Sequence, residues 1–76
     1  MDDRIRKVMA QALECPIEHV TVFTNQDNIA NWDSIHHIHM IVLLEREFDI
    51  TISDDIVGNM ISFELIKEVV NGCVQV

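Results

Sequence analysis

The chain has 76 residues, 49% of them hydrophobic, which is room for one domain (1–76) with a rich core, since a domain this small buries only about 60% of its unfolded surface. Five basic against thirteen acidic residues leave a formal charge of −8, which repels phosphate backbones and speaks against nucleic-acid binding. With two Gly, one Pro and few aromatics, the composition favours an aliphatic helical bundle over a β-sandwich.

No apolar run approaches the ~20 residues that span a bilayer. The Asp2-Asp3-Arg4 start lacks the basic and apolar regions of a secretory signal, so a cytoplasmic monomer without a membrane role is expected. Cys15 and Cys73 have neither metal nor redox spacing and are expected as reduced thiols.

The first helix is predicted near residues 3–15. Ile5, Val8, Met9, Ala12 and Leu13 follow the helical apolar period, Asp2 and Asp3 suit its positive end, and Pro16 stops it. Residues 16–33 carry no sustained period and several loop formers, with Val20, Val22 and Phe23 expected to tuck onto the core. A loop this long in so small a domain tends to be functional.

The second helix is predicted over 34–48, capped by Asp33. At about 100° per residue, Met40, Ile41, Leu44 and Phe48 share one face. Ile35, Ile38 and Val42 form a second apolar stripe on the side of Ser34. A helix apolar on two faces is either central or binds something.

Ser53-Asp54-Asp55 reads as the cap and first turn of a short helix near 54–59. A last helix is predicted near 62–71, with Phe63, Ile66, Val69 and Val70 as its stripe and Asn71-Gly72 as its stop. The fold class is therefore all-α, a right-handed bundle of three main helices and one short one. Its expected core is Ile5, Met9, Leu13, Met40, Leu44, Phe48, Ile52, Ile66 and Val70.

Asn31-Trp32-Asp33-Ser34-Ile35 puts a serine in the first turn of a helix, directly after a capping aspartate. A phosphodiester on that hydroxyl would sit by free backbone N–H groups and the positive end of the helix dipole. Asp33-Ser34-Ile35 resembles the Asp-Ser-Leu attachment signature of the acyl carrier and peptidyl carrier proteins, with Ile in place of Leu. Leu44-Glu45-Arg46-Glu47-Phe48-Asp49-Ile50 resembles that family's helix ending, and Ile52-Ser53-Asp54-Asp55 the turn that follows. The likeness runs from the first helix to Asn71-Gly72, and Trp32 before the Asp-Ser pair resembles stand-alone members.

The resemblance implies an acyl-carrier-like fold and a protein that is not itself an enzyme. A phosphopantetheinyl transferase would move 4′-phosphopantetheine from coenzyme A to Ser34. The arm's thiol would carry an acyl or aminoacyl group between a loading enzyme and a downstream synthase or transferase. Asp33 would serve the transferase's metal ion and docking. Ile35, Ile38, His39, Val42, Glu45 and Arg46 are the expected partner-docking residues. His39 and Arg46 stand where dedicated fatty acid carriers tend to carry Glu, which points to a specialised pathway. Fatty acid, polyketide, amino-acid-loading and envelope-lipid pathways all remain open. An attached chain is expected to enter the core between the second and third helices, lined by Met40, Leu44, Met60 and Ile61.

Other readings of the same residues are weaker. His36 and His37 diverge by about 100° on a helix and cannot converge on a metal, so no metal site is expected; His37 should pack at the core edge, with His36 and His39 exposed. Ser34 and His37 have i, i+3 spacing, but a serine hydrolase also needs an oxyanion hole and an orienting acid. The alternative of another class is a carrier-like docking adaptor that is never modified.

Overall fold

The computed structural model describes residues 2–74. Helix α1 spans Asp2–Ala12, α2 Ser34–Phe48, α3 Asp54–Val57 and α4 Phe63–Val74, with a single 3₁₀ turn at Ile17–His19. Among the described residues no strand forms; one isolated antiparallel bridge joins Asn25 to Ser62. The fold is all-α, with three main helices and one short one.

The core lies where α1 and α4 meet α2. Ile5, Met9, Leu13, Met40, Leu44, Ile52, Ile66 and Val70 are all buried, as the periods require. Phe48 is only half-buried; it packs against the core's edge, and the Arg4 guanidinium lies over its ring, 4.6 Å from the centroid. The long loop adds Val20, Ile29 and Trp32 to the core, and Met60 and Phe63 come from the approach to α4. Of the three loop residues expected on the core, only Val20 is there. Val22 is half exposed and Phe23 is 81% exposed, because a turn at these positions aims them outward.

Helix α1 ends at Ala12 rather than residue 15. Glu14 adopts the left-handed conformation (φ 53°), and Cys15 N–H reaches back to Ala10 O at 3.1 Å, closing the helix with Pro16 next in line. Asp49 ends α2 in the same way, at φ 54°, with Ile50 N–H on Glu45 O. Helix α3 stops at Val57, two residues short, because the chain must turn to bury Met60 completely.

The expected stop at Asn71-Gly72 is not used: α4 runs through both residues to Val74. Cys73 falls on the helical period of Ile66, Val69 and Val70 and is half-buried, so the apolar stripe extends past Gly72. Neither glycine has a positive φ, and a Cβ on Gly72 would meet nothing within 4 Å.

Gly72→Ala is therefore expected to raise the melting temperature by a few degrees, since alanine in a helix interior is favoured over glycine by roughly 0.5–1 kcal/mol. A fall would show that the helix ends at Gly72 in a conformation only glycine tolerates.

Candidate functional site

The site is built on the first turn of α2. Asp33 is extended (φ −102°, ψ −174°), and its Oδ1 accepts the His36 backbone N–H at 2.9 Å. That cap leaves the hydroxyl of Ser34, the first helical residue, uninvolved in holding the turn. Ser34 is exposed at the positive end of the helix dipole.

His36 sits between two carboxylates. Its Nδ1 is 2.8 Å from Asp33 Oδ1 and its Nε2 is 2.8 Å from Glu14 Oε2. Only the doubly protonated ring can donate to both. The hydrogen bond to Asp33, then the one to Glu14, pushes the imidazole above its usual range. Asp33 is held below the usual carboxylate range, first by the His36 backbone N–H and then by the His36 ring. The ring is thus half-buried rather than exposed, and it straps the end of α1 to the start of α2. Asn31 adds to the strap: its Nδ2 donates to Leu13 O at 3.1 Å.

His37 faces the other way and is buried, 9% exposed, beneath Trp32, which is 4% exposed. Trp32 Nε1–H donates to His37 Nδ1 at 2.9 Å, and the rings stack with centroids 6.1 Å apart. An indole N–H can only donate, so the His37 proton lies on Nε2, which donates to Val57 O at 2.7 Å. Neither neighbouring imidazole therefore has a nitrogen free to take a proton from Ser34. Among the described residues no group of three or more His, Cys, Asp or Glu side chains could hold a metal ion.

The stripe of Ile35, Ile38 and Val42 is exposed, at 80%, 55% and 40%. His39 and Arg46 are exposed beside it. Glu45 is half-buried, and its Oε2 accepts the Ile52 N–H at 2.8 Å, so its carboxylate holds the link into α3. Beside Ser34 lies an open hollow of about 300 Å³, lined by Gln26, Ser34, His37, Ile38, Val57, Gly58 and Ile61. Met40, Leu44 and Met60 are fully buried and do not line it, while Ile61 is partly exposed and does. A larger groove of about 570 Å³ runs past Cys15, Phe23 and Ile29 and does not include Ser34.

The Trp32–His37–Val57 chain and the Glu45 bond are the contacts that spacing alone misses. The signal for His37 was its angle, which falls within the core face of α2. Among the described residues no helix is long and apolar enough to cross a membrane. No protein-family model matches the chain.

The strap has a pH window. The raised pKa of His36 makes its contribution complete below about pH 6.5 and lost as pH rises through the folded value. The lowered pKa of Asp33 makes its contribution complete above about pH 4 and lost as pH falls through its folded value. The difference in melting temperature between the native chain and His36→Gln is expected to be largest between those limits and to shrink toward pH 9. A difference that stays constant from pH 5 to pH 9 would remove the charge from the strap.

Proposed function

We propose that the protein is a carrier that holds acyl or aminoacyl groups as thioesters on a 4′-phosphopantetheine arm at Ser34 and presents them to partner enzymes. The observation that carries this reading is the placement of Ser34. It is an exposed hydroxyl at the first position of a 15-residue helix, its turn already capped by Asp33, beside an exposed apolar stripe and an open hollow.

Each part has a use. The N-terminal end of α2 favours the phosphodiester's charge. A transferase would supply the base, because His36 and His37 have both nitrogens engaged. Asp33 engages its ligands through Oδ1, and its side chain is 62% exposed, which suits a docking role toward a metal-bearing transferase. The chain would itself perform no catalysis. Ile35, Ile38 and Val42, with His39 and Arg46 at the border, would form the contact surface, since grouped exposed apolar side chains mark interaction sites. Arg46 puts a cation in that border, which would disfavour partners whose basic residues are built for uniformly acidic carriers.

The deciding measurement is intact mass after incubation with a phosphopantetheinyl transferase and coenzyme A. The native chain is expected to gain one arm and Ser34→Ala none, with unchanged helical circular dichroism. An alanine variant that still gains the arm refutes the assignment.

Val42→Asp places a charge where a partner would exclude water. Transfer to the partner is expected to fall about tenfold or more, with the melting temperature within a few degrees of the native chain's. A large fall in melting temperature would instead make Val42 a core residue.

A further inference from the structure

The hollow beside Ser34 marks the seam between α2 and α3, and His37 is the one buried residue in its lining. Met40, Leu44 and Met60 are fully buried, and none of them lines the hollow. An alkyl chain on an arm at Ser34 would have to displace the imidazole to reach them by this route. Moving the ring breaks two bonds at once, from Trp32 Nε1–H to Nδ1 and from Nε2–H to Val57 O. It would leave a buried indole N–H with no partner, an arrangement folded proteins avoid. At the seam's other end Glu45 Oε2 holds the Ile52 N–H, which resists a hinge there as well.

We propose that His37 is a specificity-determining residue that keeps this seam shut, so that the cargo is a short or polar-ended acyl or aminoacyl group resting in the hollow. The proposal rests on the carrier reading. The hollow suits such a group. At about 300 Å³ it lies at the small end of ligand pockets, with Ile38, Val57 and Ile61 for an apolar portion and the Gln26 amide for a polar end. A long alkyl chain would find its first carbons covered and the remainder in water.

The test uses the methionine methyl resonances of Met40 and Met60, on the chain loaded with an acetyl or a dodecanoyl arm. In the native chain both resonances are expected to stay in place with either load. In His37→Ala the dodecanoyl load is expected to shift both, and the acetyl load neither. Trp32→Phe removes the Nδ1 donor while keeping the ring; it should give a smaller shift of the same kind and serves if His37→Ala does not fold. Shifted resonances in the dodecanoyl-loaded native chain, or none in a folded variant, overturn the proposal.

Failure of the carrier reading registers separately, as no mass gain at Ser34. The seam is then read on Ser34→Cys, with Cys15→Ser and Cys73→Ser, tethered through an ethyl or a dodecyl methanethiosulfonate. The same pattern of shifts is expected with and without His37→Ala, and the same results overturn it.

Discussion

Both nitrogens of His37 are committed inside the protein, and this pair of bonds joins the loop before α2, α2 itself and the end of α3. A buried polar chain stiffens a fold when every member is satisfied and weakens it when one is not. Here every buried side-chain nitrogen and oxygen among the described residues has a partner. Helix α3 depends on this arrangement, because four residues are far too few to be helical alone. His37 holds its C-terminal end and Glu45, eight residues along and about 12 Å further down α2, holds the link that leads into it. The short helix is thus positioned by side chains of its neighbour, and Ser53 and Gly58 only mark its limits.

The start of α2 is fixed by charge as well as by packing. The His36 imidazolium bridges Glu14 and Asp33, which would otherwise be two carboxylates facing each other across the α1–α2 junction. Glu14 reaches this position from a left-handed turn that glycine would fill more readily. A glycine there would relax the turn and lose the carboxylate, so the sequence trades local backbone comfort for the strap. The loop between the helices is held on the same principle. Arg6 of α1 donates to Val20 O and Ile17 O, and Thr24, buried, bonds His19 O and the Thr21 N–H. Long as it is, the loop has backbone groups tied to side chains and Val20, Ile29 and Trp32 in the core, while Val22 and Phe23 stay outside.

What was legible in the sequence followed periodicity and local chemistry. The bounds of α2 came from Asp33 as a cap and from an apolar period that holds through Phe48, and both ends stand where that reading puts them. Eight of the nine expected core residues are buried for the same reason. Period says nothing about a loop, so Ile29 and Trp32 went unseen and Phe23 was turned the wrong way. Glu45 reads from the sequence as a docking residue beside the apolar stripe, because nothing local reveals that the Ile52 N–H will need an acceptor seven residues on. At the far end, glycine permits a stop without requiring one, and α4 continues through it to Val74.

The remaining asymmetry is on α2. One face buries Met40, Ile41 and Leu44, while Ile35, Ile38 and Val42 stay in water on the side of Ser34. Burying a side chain of that size is worth about 1.5–3 kcal/mol, so folding alone would favour turning these residues inward or replacing them with polar ones. The fold forgoes that gain along two turns of one helix, beginning beside an exposed hydroxyl at its N-terminal end. His36 and His37, both between Ser34 and Ile38 in the chain, belong to the strap and to the core respectively, so the framework does not require the apolar stripe. A surface that the framework does not need, grouped beside a hydroxyl that it does not use, is what a carrier would require: one face to hold the helix in place and the other left free for a succession of partners.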